Sequence, residues 1–268
     1  GPAVFIDDDG QAYLFWGNRE CYYVKLKENM IETDGDIHQV AIDASHPFTE
    51  APWVHKYNGK YYLTYASEWP EKIAYAMADK VTGPYEVKGI ISEIAGNSNT
   101  THPAIVNFRD KWVFFSHNGG LPEGTSYSRS VVAEPMEYNP DGTIKKINPS
   151  TEGMQFKEWS GNPILPGMHA DPEILYSEKT GRYYIYSTTD GHPGWGGWYF
   201  TCFSSDNLVD WRDEGIILDV CKDTKWASGN AWAPAIIEKK VDGQYKYFFY
   251  YSGNAGNAKA IGVAVADS

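Results

Sequence analysis

The chain has 268 residues, enough for one large domain, and a formal net charge of −12. This acidic balance argues against nucleic acid or an anionic membrane surface as a partner, and no apolar run is long enough to predict a membrane span. Aromatic residues make up 15% of the chain, a composition that suits β-strands and sugar-binding clefts. Three cysteines without metal-type spacing predict neither a disulfide framework nor a zinc site.

Residues 1–46 show the pattern of one small antiparallel sheet. Apolar residues 4–6 and the aromatic run 13–16 flank the turn pair Asp9-Gly10, which is typical of a β-hairpin. Residues 21–27 and 36–42 can supply two outer strands. The acids at 7–9 are interpreted as a solvated turn, because the spaced ligands and closing Glu of a calcium loop are absent.

The same pattern returns in residues 47–98, 99–153, 164–220 and 226–268. Each unit has a proline, an apolar strand, a turn and a strand rich in aromatic residues, and the prolines stand at 2, 52, 103, 172 and 234. A period of this size built from short strands predicts an all-β fold, a five-bladed β-propeller. The alternative is a β-sandwich with chance similarity between hairpins. The last blade lacks a pattern for its fourth strand, and no helix of ten or more periodic residues is predicted.

The residues that precede the prolines are the first candidates for a site. Proline is expected at the first position of a strand, with the preceding residue held extended. In a propeller the starts of the innermost strands converge on the central channel. Two acids, Glu50 and Asp171, would then reach one space from blades that are not neighbours, as cleavage of a glycosidic bond requires. The alternative is that both acids only cap strands or turns.

Six stretches together resemble glycoside hydrolase family 43, the five-bladed arabinofuranosidases, xylosidases and arabinanases. They cover nearly the whole chain: residues 2–10, 49–53, 101–104, 162–172, 229–234 and 262–268. The resemblance implies an inverting mechanism with Asp171 as general base and Glu50 as general acid. It also implies that Arg129 contacts the sugar, and that His102 helps to hold, usually through water, a calcium or similar ion in the central channel.

The order of the motifs departs from that of the family. Residues 1–153 match its C-terminal three blades and residues 154–268 its N-terminal two, so the single catalytic domain predicted over 1–268 is similar to a circular permutant. The family also has a third acid, an Asp, at the position of Gly1, which tunes the pKa of the general acid and orients it. The resemblance therefore implies either that another source supplies this acid or that activity is impaired.

Further candidates for sugar binding lie near the predicted channel mouth. Aromatic side chains on loops can stack on a sugar or pack between blades, and polar residues near the acids can contact substrate. These candidates are Trp69, Asn118, His169, Trp195, Trp198 and Trp232.

The sequence thus predicts an exo-glycosidase that releases α-L-arabinofuranose from arabinoxylan or its oligosaccharides, a neutral pentose-containing substrate. A β-xylosidase or a dual activity is the nearest alternative, and Gly1 favours a second one, a carbohydrate-binding propeller with an impaired site. A scaffold for protein partners is disfavoured by the converging acids. No signal peptide is recognised, so the location stays open between secreted and cytoplasmic.

Overall fold

The computed structural model describes residues 1–150, 153 and 161–268, and within them the chain forms five antiparallel sheets. The first two sheets have four strands each: β1 (Ala3–Ile6), β2 (Ala12–Asn18), β3 (Glu20–Leu26), β4 (Thr33–Gln39); β5 (Phe48–Tyr57), β6 (Lys60–Ser67), β7 (Lys72–Ala78), β8 (Glu86–Ser92). The third has three strands: β9 (Ala104–Phe108), β10 (Lys111–Asn118), β11 (Ser130–Met136). The fourth has four strands and the fifth three: β12 (His169–Ser177), β13 (Arg182–Thr189), β14 (Tyr199–Ser205), β15 (Arg212–Asp219); β16 (Trp232–Val241), β17 (Gln244–Ala255), β18 (Ala258–Ala266).

Helical structure in the described ranges is confined to two short segments, α1 (Val220–Asp223) and a 3-10 turn at Pro193–Trp195. Neither is long or apolar enough to cross a membrane. The sheets therefore carry the fold.

Five buried apolar clusters hold the sheets together, one between each pair of neighbours. Each cluster has members from two sheets, for example Phe15 with Tyr65, Ile73 with Phe114, Phe115 with Ile185, Phe200 with Phe249, and Leu14 with Phe248. Because both faces of a blade are covered in this way, the second strand of each sheet carries a run of aromatic and apolar residues with little alternation. The arrangement is a ring of five blades, which confirms the predicted β-propeller.

The ring closes where the first sheet meets the fifth. Tyr250 Oη donates a hydrogen bond of 2.6 Å to the Met30 carbonyl, and Lys239 Nζ donates one of 2.8 Å to the Glu28 carbonyl. The two ends of the chain thus belong to adjacent blades. The two permuted halves are predicted to join between residues 153 and 154. Residues 154–160, next to this junction, lie outside the described residues.

The strand prediction was wrong in the third sheet. The pattern repeated over residues 99–153 predicts a fourth strand near residues 143–147, but these residues contribute only an isolated bridge between Tyr138 and Ile144, and Ile147 N–H bonds to the Ile91 carbonyl of the second sheet. This segment therefore links two blades. The fifth sheet ends at β18 among the described residues, as its sequence pattern predicts.

The expected backbone at the prolines was also wrong for three blades. Pro52, Pro172 and Pro234 lie inside their strands, each at a shift of pairing register. The residues before them have φ values of 57°, 49° and 45°, in the left-handed region instead of extended. The reason is a β-bulge, which adds an unpaired residue to the strand and redirects its side chain. Asp171 is one of these residues.

Candidate active site

A cleft of about 300 Å³ lies at the end of the ring where the innermost strands begin. All five blades contribute to it through residues that stand one or two positions before the repeated prolines: Gly1, Glu50, His102, Asp171 and Ala233. Its remaining lining is Asn18, Trp69, Thr100, Thr101, Arg129, Trp195, Trp232 and Ser252. The propeller repeat therefore converges on one small space that contains both predicted acids.

Asp171 is held in this cleft by its backbone and its side chain. Its N–H donates to Nδ1 of His117 at 2.9 Å, and Thr188 Oγ1 donates to its Oδ2 at 2.6 Å. The side chain is 14% exposed, so one edge still meets the cleft. Two hydrogen bonds and a bulge thus orient a carboxylate that remains accessible to a small molecule.

Arg129 supplies the positive charge beside Asp171, with Nη1 lying 3.7 Å from Oδ1. Burial alone would raise the pKa of Asp171, but Arg129 and then His102 and His117 outweigh it and hold the pKa well below its usual range. Burial also lowers the pKa of His102 to about 4 and that of His117 to about 3. Both imidazoles are therefore neutral at neutral pH, and Asp171 is a carboxylate there.

Asp190, which the sequence analysis missed, fixes Arg129. Its Oδ2 accepts from Arg129 Nε at 2.8 Å and from the Arg129 backbone N–H at 2.7 Å, and its Oδ1 accepts from Nη2 at 3.1 Å. Both side chains are buried. Arg129 also donates to Thr100 Oγ1 at 3.0 Å, so the guanidinium has little freedom to move.

Replacing Asp190 with Asn is expected to lower the free energy of unfolding by about 3 kcal/mol, because it leaves a buried guanidinium without its bidentate partner. Urea unfolding measures the loss. Asp79→Asn is the matched control, since Asp79 pairs with Lys60 on the surface, where such pairs contribute about 0–1 kcal/mol. Equal losses in the two variants would contradict this role of Asp190.

Glu50 lines the cleft, and a second acid, Glu71, lies behind it. Glu71 is 1% exposed, and its Oε2 accepts from the Thr101 N–H at 2.9 Å. Burial, together with the charge of Glu50, raises the pKa of Glu71 to about 9. The sequence analysis missed Glu71 because it stands in a turn between β6 and β7, away from the repeated proline.

His102 lies in the channel as predicted, with Nδ1 3.6 Å from Asp171 Oδ1. In the described part of the chain, no group of three or more His, Cys, Asp or Glu side chains is arranged to hold a metal ion. A single imidazole nitrogen does not meet the oxygen-rich coordination that calcium prefers. These residues therefore do not fit direct coordination of a calcium ion. An ion held in the channel through water molecules stays a prediction.

Three of the predicted tryptophans line the cleft. Trp69 is 62% exposed at the rim. Trp195 Nε1 donates to the Ser126 carbonyl at 2.7 Å, and Trp232 Nε1 donates to the Trp195 carbonyl at 2.6 Å. Because both indole N–H groups are bonded to backbone, these two rings are fixed in the wall of the cleft.

The other three binding candidates are not part of the cleft lining. His169 is buried, with its ring nitrogens 3.0 Å from Ser187 Oγ and 3.1 Å from the Pro166 carbonyl. Asn118 Oδ1 accepts from the Gly120 N–H in a turn, and Trp198 lies against His192 and Tyr199. The side-chain contacts of these three residues lie within their own blades.

The sequence analysis also missed six other residues that lie in or beside the cleft. They are Asn18, Thr100, Thr101, His117, Thr188 and Ser252. His117 and Thr188 lie near the ends of second strands and reach Asp171 from there. A search for polar residues at those ends, and not only at the prolines, could have found them.

Comparison with known proteins gives a consistent result. The family model described as Glycosyl hydrolases family 43 matches residues 1–144 and 160–268. A β-xylosidase of Xylanibacter ruminicola is 31% identical over 184 residues, covering 54% of this chain and 57% of its own length. The chain thus spans little more than half of that relative.

Two solved structures add to this. A family 43 β-xylosidase/α-arabinofuranosidase from a compost microbial metagenome, solved with xylotriose in a calcium-free form, has a TM-score of 0.52 at 28% identity and covers 55% of this chain and 57% of its own. An endo-arabinase of Bacteroides thetaiotaomicron has a TM-score of 0.62 at 14% identity, over 100% of this chain and 93% of its own. The second likeness concerns the fold alone.

Proposed function

Because this chain belongs to Glycosyl hydrolases family 43, we propose that it is an inverting glycoside hydrolase that releases terminal α-L-arabinofuranose from arabinoxylan or its oligosaccharides. The observation that carries the proposal is the placement of Asp171 and Glu50 in one cleft, reached from the fourth and second blades. Two carboxyl groups that face one sugar from opposite sides are what single displacement at an anomeric carbon requires.

In this mechanism Asp171 is the general base. It accepts a proton from a water molecule as the water oxygen attacks the anomeric carbon. Its low pKa keeps it ionised and ready to accept, while Thr188 and His117 hold it in place. Arg129, fixed by Asp190, adds a positive charge that can hold a sugar hydroxyl.

Glu50 is the general acid. It donates a proton to the glycosidic oxygen as the bond from that oxygen to the anomeric carbon breaks, so the leaving sugar departs neutral. Since water enters on the side opposite the leaving group, the configuration inverts. Inversion needs roughly 6.5–9.5 Å between the two carboxyl groups, which leaves room for the water.

The size of the cleft supports action on a terminal residue. Its volume, about 300 Å³, is at the lower end of the roughly 300–1,000 Å³ usual for ligand sites. The rings of Trp69 and Trp195 offer apolar faces for a sugar, whereas the Lys259 ammonium lies over the Trp232 ring, 3.7 Å from its centroid. A site of this small volume suits a single pentose better than the interior of a polymer.

Release of xylose is the second candidate, favoured by the name of the Xylanibacter ruminicola relative, a β-xylosidase. Both sugars are neutral pentoses. Initial rates on nitrophenyl α-L-arabinofuranoside and nitrophenyl β-D-xyloside, followed by arabinoxylan oligosaccharides and xylobiose, separate the two activities.

The anomer released first tests the mechanism, by proton NMR during the opening minutes of hydrolysis. We expect the configuration opposite to that of the substrate. Retention would overturn the inverting assignment. Sugar binding in calorimetry without any turnover would instead support the binding propeller that Gly1 suggests.

A further inference from the structure

Glu71 is a buried acid with an incomplete set of hydrogen bonds. Its Oε2 accepts from the Thr101 N–H, but no backbone N–H or other donor among the described residues reaches its Oε1. The neighbouring group is the Glu50 carboxyl, which lies within hydrogen-bonding reach of the Glu71 side chain and whose charge acts on it. Burying a carboxylate without a cation is costly, so a proton is expected to remain in this pair.

The largest influences on Glu71 are burial, Glu50, the Thr101 N–H and Asp171, none of them a cation, while Arg129 acts on the pair through Glu50. Lys72, the next residue along, is instead paired with Glu68 at 3.0 Å. Two acids that interact this closely lose their protons in two separated steps that belong to the pair. One proton is then retained over a pH range in which an isolated exposed Glu would be ionised.

Gly1 has no side chain with which to act on Glu50. It lines the cleft, but a Cβ built there would lie 2.3 Å from the Ala233 Cβ, so a side chain at this position requires its surroundings to move. Glu71, by contrast, already brings a carboxyl group next to Glu50.

We propose that Glu71 and Glu50 share one proton, so that the pair holds a proton that the general acid can give to the glycosidic oxygen. Glu71 is a positioning residue, since it lies behind Glu50 and does not line the cleft. When Glu50 gives its proton to the glycosidic oxygen, the bond to the anomeric carbon breaks. Glu50 then regains a proton from water in the open cleft, and the pair returns to its singly protonated state.

The kinetic consequence of this inference rests on the proposed function. The expected titration of the shared proton does not. In wild-type protein with 13C-labelled Glu carboxyl groups, NMR is expected to show a carboxyl that loses its proton near pH 9, the value to which the pKa of Glu71 is raised, and this signal should be missing from Glu71→Gln. The variant is needed because burial also raises the pKa of Glu173 well above its usual value. If Glu71→Gln removes no signal that titrates above pH 6, the proposal is overturned, whether or not the protein hydrolyses any sugar.

Glu71→Gln tests the kinetic consequence. Its amide can still accept from the Thr101 N–H, but it has no proton to share. We expect the alkaline limb of kcat/KM to move at least about one pH unit lower, with KM nearly unchanged, because the residue does not contact the sugar. Glu71→Asp, which keeps a carboxyl group, should recover part of the shift.

Glu68→Gln is the matched control. Glu68 lies on the same turn, pairs with Lys72 and is not part of the cleft lining, so its pH profile should match that of the wild type. A Glu71→Gln profile identical to the wild type would overturn the proposal. Wild-type protein that titrates near pH 9 but hydrolyses nothing would leave the shared proton standing and remove the proposed function.

The pH dependence of stability gives a readout for variants that are inactive. An acid whose pKa is raised on folding, from 4.5 to about 9 for Glu71, binds its proton more tightly in the folded state. The wild type should therefore lose stability as the pH rises through this window, and Glu71→Gln should lose less. Equal slopes for the two proteins would overturn the proposal.

Discussion

Asp171→Asn is expected to lower kcat by about 10²–10⁴-fold on every substrate, including activated aryl glycosides. The general base is needed to activate water regardless of the leaving group. The asparagine side chain is nearly isosteric, and its carbonyl can still accept from Thr188 Oγ1, so the geometry of the cleft should survive. Initial rates on nitrophenyl pentosides, with circular dichroism to verify the fold, measure the effect.

Asp79→Asn is the control for this variant, because Asp79 is a surface acid paired with Lys60. Its kcat should equal that of the wild type. If Asp171→Asn keeps more than about a tenth of the wild-type kcat, the base lies elsewhere.

The charge at Asp171 also affects stability. Its pKa is depressed on folding, so its contribution is present above the unfolded value of 3.8 and is lost as the pH falls through the folded value. Acid unfolding below pH 3.8 should therefore be less steep in Asp171→Asn than in the wild type.

Glu50→Gln is expected to produce a loss that depends on the leaving group. On xylobiose or arabinoxylan oligosaccharides, whose departing sugar needs a proton, kcat/KM should fall by about 10²–10⁴-fold. On nitrophenyl glycosides the loss should be much smaller, since nitrophenolate is a stable anion. The ratio of the two losses, measured on the same preparation, is the diagnostic quantity.

Glu68→Gln serves as the control here too, with no change in that ratio expected. Equal losses on natural and activated substrates in Glu50→Gln would show that Glu50 holds the sugar and does not protonate the leaving group. Such a result would leave the assignment of Asp171 intact, because the two tests are independent.

The sequence by itself determined the fold and the shared location of Glu50 and Asp171. Each blade repeats a proline, an apolar inner strand and an aromatic second strand, and these local signals agree with one another in all five units. Propeller geometry then brings the strand starts together, which is why Glu50, His102 and Asp171 could be assigned to one space without any coordinates. Repetition made these predictions possible.

Only the tertiary structure decided how the acids are held and what surrounds them. The left-handed backbone at Asp171 results from a bulge, and a bulge depends on the pairing of β12 with β13. Glu71 reaches Glu50 from a turn, and Asp190 reaches Arg129 across 61 positions of sequence. These contacts carry no local signature, because their energies come from burial and from charges that only the closed ring brings together.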